Sequence, residues 1–175
     1  MAIEVGVLIG SKHDFKEIEP CFEILKALRV GYEFSVLSCH RHDAELAAYA
    51  AGALNSNVKV FIAAAGMQAG LPGILAAKLK GHGRVVIGVA LPSAEFPDAM
   101  DALLAIVRCP AGTPVVCAGI GKAGVINAAL VAGEILSGMH GNLVNDFLPK
   151  YYLDELDKKR PQSRVQKWDP ETSAS

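Results

Sequence analysis

Short apolar runs rich in β-branched residues alternate along this chain with longer stretches whose apolar positions recur at helical spacing. Ile3–Ile9 (IEVGVLI) predicts a buried strand, closed by Gly10-Ser11 as a strand-to-helix turn. Phe15, Ile18, Phe22, Leu25 and Leu28 share one helical face, which predicts a helix over Asp14–Leu28. Pro20 falls near its first turns, where it can kink the helix. The pattern then predicts a strand over Tyr32–Leu37, a helix over Asp43–Leu54 capped by Asp43, and a strand over Val58–Ala63. A helix over Leu71–Leu79, a strand over Arg84–Val89 and a helix over Ala94–Val107 follow. The series ends with a strand over Pro114–Ala118 and an Ala-rich helix over Ala123–Ser137.

Strands joined through helices by short connections run parallel, with right-handed crossovers. The expected fold class is therefore α/β: a three-layer αβα sandwich with a five-stranded parallel sheet, flavodoxin-like. The character changes after Gly138. Residues 1–140 form the expected α/β domain. Residues 141–175 are expected to hold a helix over Asn142–Asp157, interrupted by Pro149, and a polar tail that is loose or laid on a neighbouring subunit.

Composition narrows the class of function. With 175 residues the chain suits one domain. Its 51% hydrophobic and 20% charged residues exclude a disordered chain. Seventeen basic against eighteen acidic residues give a net charge of −1, so no basic field attracts nucleic acid or a membrane surface. Cys21, Cys39, Cys109 and Cys117 form no CxxC pair, which argues against a zinc knuckle, a redox dithiol or a disulfide scaffold and points to a reducing, cytoplasmic setting. The first residues carry Glu4 and no basic segment ahead of the apolar run, unlike a signal peptide. The longest apolar stretch, Val60–Ala77, contains Gln68 and Pro72 and is mostly Ala and Gly, which does not suit a membrane span.

Open parallel sheets bind ligands at the carboxyl ends of their strands, which directs attention to five loops. The first, GSKHD, offers Gly10, Ser11 and Asp14 at a helix start, where backbone N–H groups can hold a phosphate or the two side chains can simply cap the helix. The second, Ser38–Asp43, offers His40 as a proton carrier and Arg41 as an anion clamp, with Cys39 as a small buried residue and His42 facing solvent. The third, AAAGMQAGLPG, has small residues that let a planar ligand approach the backbone. A fourth lies at Ala90–Phe96, and the fifth, GIGKAG (Gly119–Gly124), looks suited to phosphate, although Lys122 can equally be a solvated residue at a helix start. Together these loops indicate a small phosphorylated substrate and proton transfer, with no metal or nucleotide cofactor demanded. No Walker A or GxGxxG motif occurs, and no aromatic pair suggests flavin.

The segments GSKHD, SCHR, AGMQAGLPG, CPAGTPV and GIGKAGVINAALVAGEIL, in this order over Val5–Leu136, resemble the PurE family of purine biosynthesis. Its members are N5-carboxyaminoimidazole ribonucleotide (N5-CAIR) mutases and aminoimidazole ribonucleotide (AIR) carboxylases. The resemblance implies a homo-octamer, no metal or organic cofactor, a ribonucleotide substrate and CO2 as the other participant. It implies that N5-CAIR is converted to the 4-carboxy isomer (CAIR) by decarboxylation and recarboxylation, or that AIR is carboxylated directly. It implies that His40 is the acid/base and Arg41 the phosphate ligand, with Ser38 and Cys39 beside them. By the same resemblance Gly10, Ser11 and Asp14 contact the ribonucleotide, and Ala65, Gly66, Met67 and Leu71 face the imidazole and the migrating carboxyl group. The mutase pattern GAGGAAHLPG carries a second histidine where this chain has Gly70, and Met67-Gln68 replaces Gly-Ala. The direct carboxylases also lack that histidine. A PurE-like enzyme acting on another heteroaromatic nucleotide and a non-catalytic flavodoxin-like binding module are the remaining alternatives.

Overall fold

A computed structural model of the protein describes residues 2–140. The expected segment Asn142–Asp157 and the polar tail lie outside the described residues. Among the described residues five strands and five α-helices alternate: β1 Ile3–Ile9, α1 Phe15–Ala27, β2 Gly31–Val36, α2 Asp43–Leu54, β3 Val60–Ala65, α3 Gly70–Leu79, β4 Val85–Ala90, α4 Met100–Val107, β5 Val116–Ile120 and α5 Gly121–His140. All pairings are parallel, in the order β2-β1-β3-β4-β5. This is the three-layer arrangement expected from the alternation.

The sheet is buried on both faces, so its central strands are nearly continuous apolar runs; every residue of β3 (VFIAAA) is buried. The two-residue period of a strand sorts these residues between two cores. Val5, Val7, Ile9, Val60, Ile62 and Ala64 pack with α1 and α5 through Ile18, Phe22, Leu25, Ala128 and Ala132. Leu8, Phe61, Ala63 and Ala65 pack with α2, α3 and α4 through Leu46, Leu71, Leu75, Ala102 and Ile106. The chain leaving β1 thus turns to one face and the chain leaving β3 to the other. Because β1 and β3 are neighbours, a crevice opens between their carboxyl ends without any special loop.

Several boundaries differ from the sequence expectation. The helix expected over Ala94–Val107 begins only at Met100. Pro97 disfavours a helical Phe96, and Ala99 takes a left-handed backbone (φ 54°) that a helix interior does not allow. Residues 94–99 are instead a loop, turned by Phe96 N–H donating to Ser93 Oγ at 3.0 Å. The third and fifth strands start two residues later than expected, at Val60 and Val116, because their neighbours set the register and Pro114 has no N–H to offer a ladder. Asp43 does not cap α2: it is the first helical residue, and its carboxylate pairs with Lys78 at 3.3 Å.

Candidate functional site

One cavity of about 1040 Å³ sits at the carboxyl edge of the sheet. The residues that the resemblance assigns to the substrate all line it: Gly10, Ser11, Asp14, Ser38, Cys39, His40, Arg41, Ala65, Gly66, Met67 and Leu71. They come from the loops after β1, β2 and β3, and the loop after β4 adds Pro92–Phe96.

The first loop shows how its side chains are held. Ser11 Oγ accepts from His13 N–H at 3.3 Å, and Asp14 accepts from Ser11 N–H at 3.1 Å, closing a capping box on the 3₁₀ turn Lys12–Asp14. Capping and cavity lining therefore coexist in the same two residues. Burial raises the Asp14 carboxyl above its ordinary value; the Ser11 N–H bond and nearby His13 oppose this.

The second loop is tied from within. His42 is half-buried rather than solvent-facing, and its Nδ1 accepts from Ser38 N–H at 3.2 Å. Arg41 N–H donates to Ser38 Oγ at 3.4 Å, and Arg41 Nη2 donates to Gly10 carbonyl at 3.2 Å, joining the first two loops. These bonds leave the His40 ring exposed to the cavity, with Nδ1 3.8 Å from Cys39 Sγ. Cys39 is buried as expected, and desolvation pushes its thiol up, which keeps it protonated and a poor nucleophile.

The third loop packs by backbone. A Cβ on Gly66 would stand 2.9 Å from Leu91 carbonyl, so only glycine lets the loops after β3 and β4 meet. Met67 and Ala69 hold left-handed backbone, with φ 55° and 42°, around a turn closed by Ala69 N–H donating to Gly66 carbonyl at 3.1 Å.

In the fifth loop the phosphate reading gains no support, and Lys122 is the solvated helix-start residue of the other reading. None of Gly119–Gly124 lines the cavity, and Lys122 is exposed outside it. A Cβ on Gly124 would stand 2.6 Å from Gly119 C and 2.8 Å from its oxygen, so these glycines serve the close packing of α5 on β5 within the chain. Conversely, the cavity includes His13, Gln68, Ser93, Glu95 and Phe96, which lie in the loops named from sequence but were given no role there, and Glu17 and Asp101, which lie outside those loops. Asp101 Oδ1 is buried without a hydrogen-bond partner among the described residues. Its helical position carried no sequence signal distinguishing it from a surface acid. No group of three or more His, Cys, Asp or Glu that could hold a metal occurs among the described residues, and no described helix is long and apolar enough to cross a membrane.

A family model described as AIR carboxylase matches residues 4–154. The chain belongs to the AIR carboxylase family. It is 39% identical over 160 residues to the N5-carboxyaminoimidazole ribonucleotide mutase of Bacillus subtilis, covering 91% of each chain. It is 41% identical over 140 residues to the enzyme of that name from Pseudomonas aeruginosa, covering 80% of this chain and 83% of the other. Among solved structures, Treponema denticola PurE superposes with a TM-score of 0.75 at 23% identity, over 88% of this chain and 92% of that one, a likeness of fold.

Proposed function

We infer that this protein is a carboxyl-transfer enzyme of purine biosynthesis, an N5-CAIR mutase that forms CAIR. The observation that carries this reading is the convergence of GSKHD, SCHR and the third loop on one cavity, in a chain whose relatives at 39% and 41% identity are named for that reaction. Arg41, Ser11 and Asp14 bind the phosphate and ribose end. Gly66, Met67 and Leu71 leave room for the flat imidazole against the backbone.

The chemistry closes with one proton carrier. His40 gives a proton to the exocyclic nitrogen as the N–CO2 bond breaks, its electron pair staying on nitrogen. The enamine-like C4 then attacks the released CO2, forming the C–C bond. The C4 adduct still carries its hydrogen; neutral His40 takes that proton, and aromaticity returns. On the Ala65–Leu71 side the wall is Ala, Gly, Met and Leu apart from Gln68, which suits a neutral gas beside the imidazole.

The test is an assay of the purified chain with N5-CAIR against AIR plus bicarbonate. Faster turnover of N5-CAIR is expected; faster turnover of AIR with bicarbonate would assign the direct carboxylase instead. The assembly proposed is a homo-octamer working in the cytoplasm. Met67, Phe96 and Met100 are 52%, 46% and 44% exposed, apolar area that a second copy can cover. Light scattering at micromolar concentration is expected to give the octamer mass, and a monomer would refute it.

A further inference from the structure

Gln68 is the one polar side chain between Ala65 and Leu71, on the stretch of the cavity wall that is otherwise Ala, Gly, Met and Leu. Its position follows from the backbone beneath it. The left-handed residues Met67 and Ala69 flank it, and the turn they form is closed by Ala69 N–H on Gly66 carbonyl. The carboxamide folds over Gly70: Gln68 Oε1 lies 2.9 Å from the point where a Cβ on residue 70 would stand. Cys39 Sγ lies 3.3 Å from the same point, and His40 Nδ1 is 3.8 Å from that sulfur. The carboxamide therefore takes the space a side chain at 70 would use, and it lines the same cavity as His40.

We propose that Gln68 holds the carboxyl group in transit, donating its amide N–H groups to the carboxyl oxygens while His40 alone moves the proton. The inference rests on the mutase reading above. An amide has no proton to lose near neutral pH, so it cannot replace an acid/base; it is a donor of fixed polarity. That suits the reacting group. The carbamate oxygens are anionic before cleavage, nearly neutral in CO2, and become anionic again as C4 attacks. A donor aimed at them gains strength where charge develops, which lowers the barrier to recapture of CO2. It also keeps CO2 beside C4 rather than losing it to the open side of the cavity.

The test uses the full chain with N5-CAIR, following CAIR, free AIR and incorporation of labelled bicarbonate. An enclosed oxyanion donor is worth about 10²–10³-fold in kcat; this open site is expected to show roughly 10–10²-fold for Gln68→Leu. The same variant is expected to release more AIR per CAIR formed and to take up more label, because CO2 escapes and exchanges. Gln68→Glu keeps the shape but opposes the carboxylate, and is expected to raise KM. Gln68→His restores a donor and is expected to leak less AIR than Gln68→Leu. Wild-type kcat, KM and AIR release in both the Leu and Glu variants would overturn the proposal while leaving the mutase reading intact. A wild-type protein that leaves N5-CAIR unconverted would overturn both together.

Discussion

His40→Asn is expected to lower turnover of N5-CAIR by about 10²–10⁴-fold, the usual contribution of a positioned acid/base, while ribonucleotide binding persists. The split follows from the loop that carries it. Ser38, Arg41 and His42 hold one another and Gly10 through hydrogen bonds in which the His40 ring takes no part, so asparagine there leaves the anion-binding side chains in place. Arg41→Ala is expected to show the opposite bias, raising KM more than it lowers kcat. His42→Asn is expected to fall between wild type and these variants, since it loses the imidazole that accepts from Ser38 N–H. Steady-state kinetics and ligand titration on the three variants decide the matter. An inactive His42→Asn beside a nearly normal His40→Asn would reverse the assignment.

Gly124→Ala is expected to destabilise the fold by about 1–3 kcal/mol or more, the cost of overpacking, without touching the cavity. The added methyl would meet backbone atoms of Gly119 at 2.6 and 2.8 Å and Val89 Cγ1 at 3.1 Å, and backbone cannot swing aside as a side-chain tip can. Gly138→Ala is the matched control on the same helix. Among the described residues, apart from the helix's own nearby backbone, nothing lies within 4 Å of its new Cβ, so it is expected to gain about 0.5–1 kcal/mol of helix stability. Denaturant midpoints of opposite sign for the pair are the expected result. Equal midpoints would show that the β5–α5 contact is not the tight one described.

The sheet and its order were legible because period-2 burial and helical spacing act locally. The alternation of apolar runs with helical faces leaves few topologies once crossovers must be right-handed. What escaped were properties decided between segments. Val60 rather than Val58 opens β3 because β1 and β4 set its register, and the late start of α4 depends on the left-handed Ala99, which an alanine does not advertise. The site was legible where chemistry is concentrated in adjacent residues, as in SCHR. Glu95 and Asp101, single acids on a loop and a helix, reach the cavity only through the fold. GIGKAG left two readings open for a physical reason: glycines that admit a phosphate and glycines that admit a neighbouring backbone look the same in sequence.

The left-handed Met67 and Ala69 bear on what the backbone of this loop costs the fold. Such a conformation costs a residue with a Cβ about 1–2 kcal/mol. Glycine would remove that cost but lose about 0.5–1 kcal/mol to its freer unfolded chain. The net difference at each position is at most about 1.5 kcal/mol and can approach zero. Thermodynamic stability therefore exerts only a weak pull towards glycine on either side of Gln68. A modest benefit from a stiffer backbone beneath the carboxamide is enough to offset that difference.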